Sequence, residues 1–564
     1  MNGFQRQCLT HLTEFVECHV LADAGRHVKE RIRKDRLIVS SQTPSVALAM
    51  ALVAEPDWGG HPEPQRVRAL AAELMDLWAD KHIETVASDG VTYSFPLICY
   101  GPACHLLLPH ATAAQRRRWL RAMRASARGA ERFLVAKKAA WGKPGPWTGC
   151  GPNHLFVTAA SLYRFGKILG ERRIAGLARR AVRKLCELQS PEGYFPESAG
   201  PAVGYQHVSL FGLCDYYAAS GDSTVLPVIE KGINFVVRAS YPDLTPIKTL
   251  DQRQRSGRRP GQIGGGSSAY ALSFGFTPAG RRFAQQMLGR YTTRVPQTAS
   301  WVAYYASGLA AMAALHHPGG RAARRLSCER PAYTDRFDGV AGIVRREGWC
   351  IVLAGYHDGG RPGNPYILDR TQNLAVFHDR CGVIIGESND KNHFDAATFE
   401  LLESGTCYYF PPVAERARVR PREGMLDLDF GAAQARLTAR VVSPKCVELV
   451  GGVVTNFGGQ RNRLNLQVPV GPGAKLIVDG RPLALRARKT QKAWPVRKSL
   501  ELPGLARIEP AGKAGAEFCW PHLPWNPYNS PTYESPIGAA VGFLRLELSG
   551  HDIAERSVRI RLLK

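Results

Sequence analysis

Near residue 325 the spacing of apolar residues changes from a helical period to the alternation of β-strands, and that change divides the chain into two different folds. Before it, Ile174, Leu177, Ala178, Ala181, Val182, Leu185 and Leu188 fall on one stripe of a helix over 173–189. Segments 154–169, 208–219, 225–239 and 301–316 carry the same period, most of them bounded by Gly, Pro or Ser-Gly-Asp turns. Helical hairpins without a fixed-period consensus predict a toroid rather than an open solenoid. After it, short apolar or alternating runs recur at 349–355, 374–378, 383–386, 425–430, 435–442, 447–454, 464–468, 543–548 and 558–563. Gly, Pro, Asn and Asp separate them, the pattern of an antiparallel sandwich. The expected fold class is α+β and multidomain. An N-terminal (α/α) incomplete toroid spans 1–325 and a C-terminal antiparallel β-sandwich spans 326–564.

A chain of 564 residues is too long for one ordinary core, in keeping with two domains. Its 45% hydrophobic and 22% charged residues are those of a globular protein, but the formal charge of +26 implies attraction to polyanions. Arg116-Arg117-Arg118, Arg179-Arg180 and Arg253 to Arg259 are scattered through the chain, without zinc-finger, RNP-like or basic-zipper patterns. Nucleic acid is therefore a minor reading, and solvated arginine faces are the plain one. Thirteen cysteines, with no CxxC pair, read as buried free thiols of a reducing compartment. No run of 18 apolar residues offers a membrane span, and the first residues lack the layout of a signal peptide. These features suggest a cytoplasmic protein, with unconventional export as the alternative.

Two loops rich in Gly and Pro each open a helix with polar residues. One is Trp147 to Gly151 followed by Asn153-His154; the other runs from Ser190 to Pro201 and is followed by Tyr205-Gln206-His207. An amide, imidazoles and a phenol gathered on one face of a helical scaffold have the means to abstract a proton beside a carboxylate.

This arrangement resembles the heparinase II/III-like and alginate-lyase polysaccharide lyases. Those enzymes carry an Asn, often as Asn-His, on one toroid loop, and a Tyr roughly fifty residues later, after a DGxF/Y…E stretch. Here Asn153-His154 and Tyr205 stand 52 residues apart, and Glu192-Gly193-Tyr194-Phe195-Pro196-Glu197 occupies the place of that stretch. The resemblance also implies an HxHxD segment that supplies a catalytic His and part of a zinc site. Lys391-Asn392-His393-Phe394-Asp395 is the best match, with Lys391 where the first His belongs and a strand-like Thr398 to Leu401 behind it. Zinc needs three or four donors, and His393 with Asp395 supplies at most two. The expectation is no cofactor and no metal, a rearranged site in the sandwich being the alternative.

Elimination across a uronate needs the C6 carboxylate neutralised, a base for the C5 proton and an acid for the O4 leaving group. Asn153 is the expected carboxylate partner, aided by Lys391 or by Arg370, whose planar fork suits a carboxylate. Tyr205 is the expected acid, and also the base if the leaving group lies on the same face. His154 or His393 is the base for the opposite face. Substrate contacts are assigned to His207, Lys391, Arg370, Trp147, Tyr100 and Glu197, with Trp141 and Tyr194 as further aromatic candidates. Each has a plainer reading. Asn153 makes a good helix cap, His154 and His207 pack, Tyr205, Tyr100 and the tryptophans fill the core, and Glu197 anchors its loop to an arginine. His393 with Asp395 stabilises a turn, and Lys391 is a solvated charge. Segments 253–268 and 519–533 read as a basic loop and an aromatic, Pro-broken coil.

The leading expectation is a lyase acting on an acidic polysaccharide or oligosaccharide, the expected partner. The rivals are a toroid glycoside hydrolase, which needs two carboxylates at a set separation, and a glycan-binding protein without catalysis.

Overall fold

The computed structural model describes the chain except residues 27, 31–38, 59, 90–96, 139–140, 142–150, 198–199, 254–268, 295–300, 357–372, 387–398, 403–415, 431–432, 457–460, 512–514, 527–531, 533, 549–554 and 564. It separates into two units. One comprises Met1–Pro196, Gly204–Val237 and Ile263–Leu326; the other comprises Glu197–Val203, Arg238–Gln262 and Ser327–Lys564. Two stretches of the first 325 residues thus group with the strands instead of with the helices.

In the first unit the principal helices are α1 (Gly3–His19), α2 (Val39–Val53), α3 (Pro64–Asp89), α4 (Tyr100–Leu107), α5 (Ala113–Ala136), α6 (Pro152–Leu169), α7 (Arg172–Cys186), α8 (Val203–Ser220), α9 (Leu226–Arg238), α10 (Pro278–Arg294) and α11 (Trp301–His316). Two kinds alternate along the chain. α6 is buried nearly all round from Pro152 to Gly166, whereas α7 buries only Ile174, Ala178, Ala181, Val182 and Leu185 and turns its arginines outward. Helices apolar on every side belong inside, and those with one apolar stripe form an outer layer. The last helix packs against α1 and α2, so the end of the unit returns to its beginning. The inner helices meet closely at glycines: a Cβ on Gly308 of α11 would lie 2.5 Å from Cβ of Ser45 on α2.

The second unit holds three antiparallel sheets, not the two of a simple sandwich. The first has the order β1 to β5, from Tyr333–Phe337 through Ala341–Arg346, Trp349–Ala354 and Asn373–His378 to Gly382–Ile385. A nine-stranded sheet includes β7 (Arg416–Arg420) to β10 (Cys446–Asn456) and ends its chain course at β19 (Glu555–Leu562). A five-stranded sheet pairs β11 (Arg461–Val468) with both β18 (Val541–Leu548) and β6 (Phe399–Leu402). Trp349, Leu437, Leu466, Phe518 and Ile560 come from all three sheets and share one continuous core. Every described cysteine is a free thiol, and among the described residues no helix is long and apolar enough to cross a membrane.

Candidate functional site

α6 begins with Gly151 as its N-cap and Pro152 at the first helical position, so no side chain caps this end. Proline suits that position because it has no N–H to satisfy. Asn153 therefore does not cap the helix. It sits one residue inside, 1% exposed, and neither its Nδ2 nor its Oδ1 has a hydrogen-bond partner among the described residues. Leaving a buried polar group unmet costs about 1–3 kcal/mol, so this amide is held at a cost to the fold. His154 follows half-buried, its backbone N–H bonded to the Gly151 carbonyl at 3.2 Å.

The second loop is set by a glutamine. Ser190 accepts bonds on its hydroxyl from the N–H groups of Gly193 and Tyr194, closing a turn. Gln206, buried in the first turn of α8, then clamps that turn to the helix. Its Oε1 accepts the Phe195 N–H at 2.9 Å and its Nε2 donates to the Gly193 carbonyl at 3.2 Å. Tyr205, next to Gln206, is half-buried at the start of the same helix.

α6 and α8 run in the same direction. Gly212 abuts Phe156 and Val157; further along both helices Tyr163 meets Tyr216 at 5.2 Å between ring centroids, and Arg164 bonds Asp215. Parallel helices place both N-termini at one end, and with them Asn153, His154 and Tyr205. Helix N-termini carry partial positive charge, about half an elementary charge each, which favours an anionic group there.

Beside this pair lies a feature that periodicity does not reveal. The hydroxyls of Tyr270 and Tyr305 are 2.8 Å apart, both rings buried. Burial holds Tyr270 above its ordinary pKa, and Cys99 and Tyr205 add to the rise against the opposing bond to Tyr305. Tyr205 thus lies within electrostatic reach of the pair. Deeper in the unit, Arg164 donates through Nε to Asp215 at 2.9 Å and through Nη2 to His316 Nε2, also at 2.9 Å. Cys99, the N-cap of α4, is pushed up to about 12 by burial, bonds Ser45 of α2 and feels Asp215 of α8 and Arg164 of α6.

The remaining expected residues divide. Tyr100 is a core residue and no sugar platform: it is fully buried, and its hydroxyl donates to the Trp119 carbonyl at 2.7 Å. Tyr194 is likewise buried, packed against Phe235. His207 is 0% exposed and stacks on Phe274 at 5.8 Å between ring centroids. Glu197 belongs to the second unit and is bridged to Arg253 at 2.9 Å, the loop anchor its sequence suggested. Burial raises its pKa against the pull of Arg253, and Asp251 adds to the rise. Trp141 is half-buried, with an indole N–H that finds no partner among the described residues. Trp147, Arg370, Lys391, His393 and Asp395 lie outside the described residues. Among the described residues no three His, Cys, Asp or Glu side chains gather as a metal site.

The sequence matches no protein-family model, and no curated protein matches it. Solved structures do. The chondroitin AC lyase of Streptomyces coelicolor A3, in complex with chondroitin sulphate, aligns with 98% of this chain and 79% of its own at 13% identity and a TM-score of 0.50. The heparan sulfate lyase HepC of Pedobacter heparinus aligns with 92% of this chain and 76% of its own, at 11% identity and a TM-score of 0.47. An unsaturated glucuronyl hydrolase specific for heparin matches 56% of this chain, at 12% identity and a TM-score of 0.37. This chain shares the fold of that chondroitin AC lyase, a helical toroid followed by antiparallel β-sheets.

Proposed function

We propose that the chain is a polysaccharide or oligosaccharide lyase that cleaves a uronic-acid-containing glycan by β-elimination. One observation carries the reading. Asn153 keeps both amide atoms buried and without a partner among the described residues, at the end of α6 where Tyr205 also stands. A buried amide with no partner among the described residues is explained by a ligand that supplies the partner. The uronate carboxylate fits, because Nδ2 donates to it and the N-termini of α6 and α8 favour its charge.

In the reaction the C5–H bond breaks and its electron pair forms the C4=C5 double bond. The C4–O4 bond then breaks, and the departing O4 takes a proton from Tyr205. The carboxylate bound at Asn153 acidifies C5 by accepting the charge that develops in the transition state. When the proton and the leaving group share a face, Tyr205 takes the first proton and returns it to O4. On opposite faces His154 takes it, an imidazole being the side chain most often used as a general base. No redox partner or metal step enters this balance.

Hydrolysis would need two carboxyl groups free to act as acid and base. The three buried carboxylates among the described residues, Glu197, Asp215 and Asp251, are bound to Arg253, Arg164 and Lys248. The test is incubation with chondroitin sulfate, heparan sulfate, hyaluronan and alginate. Ultraviolet absorbance of an unsaturated uronate supports elimination. Reducing ends that accumulate without it would establish hydrolysis, and silence in both assays would leave binding without catalysis.

A further inference from the structure

α5 carries seven arginines and a single acid, Glu131. Its buried face is set by Trp119, Ala122, Met123, Ser126, Ala127, Ala130 and Leu134. On the opposite face Arg117, Arg121, Arg124, Arg128 and Arg132 are all exposed. At 3.6 residues per turn their spacing confines them to an arc of about 80° and a length of about 22 Å. The acids nearby are already engaged. Glu131 is bound by Arg173 of α7, and Asp76 and Asp80 by Arg118 on the flank of α5. None of the five arginines forms an ion pair with a described residue.

Like charges three and four residues apart on a helix destabilise it. The ladder holds four such pairs in succession without relief, while the arginines beside it are matched. A row of unopposed guanidinium groups is complementary to a linear polyanion with carboxylate or sulfate groups, which the planar fork binds in bidentate fashion. The strip has no exposed aromatic ring on which bases would stack, since Trp119 is buried. Its Arg132 end is the end from which the chain continues to Asp-free α6 and Asn153.

We infer that this face of α5 docks the extended chain of an acidic polysaccharide, outside the Asn153–Tyr205 site. The inference rests on the proposed function for the choice of glycan over nucleic acid. Such a strip retains a long chain between cleavages and raises its local concentration by electrostatic attraction.

The test compares the full chain carrying Tyr205→Phe, which prevents cleavage, with the same chain also carrying Arg117→Gln, Arg121→Gln, Arg124→Gln and Arg128→Gln. Glutamine keeps helix propensity, and helical circular dichroism and the melting temperature check the fold. Single Arg124→Gln is the milder control and shows a smaller loss in the same direction. Binding of long chondroitin sulfate, heparan sulfate and hyaluronan chains, of their tetrasaccharides and of duplex DNA is titrated at several salt concentrations. The expected result is a loss of about tenfold or more for long glycans, with a salt dependence shallower by roughly one per arginine removed, and unchanged tetrasaccharide binding. Equal affinity of both proteins for long chains overturns the inference. So does a loss confined to DNA, which would mark the strip as a nucleic-acid surface. If the strip binds glycans while the wild-type chain yields no unsaturated product, the lyase reading fails and the docking strip stands. If product forms and the strip variant binds long chains as before, the reverse holds.

Discussion

Arg164 and His316 are joined by a hydrogen bond of 2.9 Å from guanidinium Nη2 to imidazole Nε2. Arginine only donates, so Nε2 accepts and the ring is neutral. Burial and the charge of Arg164 push His316 down to about 3. Its pKa in an unfolded chain is about 6.5. Between those values the unfolded state binds more protons, so the stability present above pH about 6.5 is lost as pH falls towards 3. His82, buried against Trp78 and pushed down to about 4, acts in the same direction. Denaturant midpoints of the wild type should drop between pH 7 and pH 4, and His316→Gln should lessen the drop. An identical pH dependence in that variant would show that His316 is not the group responsible.

The same arginine holds Asp215, which is almost fully buried. Removing one partner of a buried pair strands the other charge, so Arg164→Leu should cost about 3–5 kcal/mol in urea unfolding. Adding Asp215→Leu should recover much of that loss, because replacing both partners by apolar groups is often near neutral. A double variant no more stable than the single would contradict this account.

Gly212 sets the distance between α6 and α8. A Cβ there would lie 2.9 Å from the backbone C of Phe156 and N of Val157, and backbone atoms cannot rotate away. Gly212→Ala should destabilise the fold by about 1–3 kcal/mol, beyond the roughly 1 kcal/mol that alanine adds to a helix. A misplacement of about 1 Å between Asn153 and Tyr205 would also lower kcat by up to about a hundredfold. Turnover and unfolding measured on one preparation check both outcomes.

Tyr205→Phe removes one hydroxyl from a half-buried ring and should abolish elimination while leaving the melting temperature nearly unchanged. His154→Ala separates the two stereochemical routes. A rate lowered about a hundredfold or more assigns the C5 proton to His154, and an unaltered rate assigns it to Tyr205.

Much of the fold is legible in the chain because periodicity reports which side of an element is buried. The expected helices at 154–169 and 301–316 form as Pro152–Leu169 and Trp301–His316, and the alternating runs from Trp349 onward form strands. Less legible is where the partners of single residues lie. Nothing local distinguishes Tyr100, whose hydroxyl is spent on the Trp119 carbonyl, from a sugar platform. Tyr270 and Tyr305 lie 35 residues apart and meet only through the packing of helices, so no spacing rule finds them. Asn153 after Gly-Pro reads as a cap, yet Gly151 takes the cap and frees the amide. The third sheet escapes notice because its strands have the same alternation as the other two.

Asn153→Leu tests the central claim most directly, since leucine matches the amide in size and has no polar atoms to satisfy. If the amide is kept for the uronate and not for the fold, the variant should be as stable as the wild type, or more stable by about 1–3 kcal/mol. It should also release no unsaturated product from any glycan that the wild type cleaves. A variant that still eliminates at the wild-type rate, or one that unfolds several kcal/mol more easily, would contradict the account.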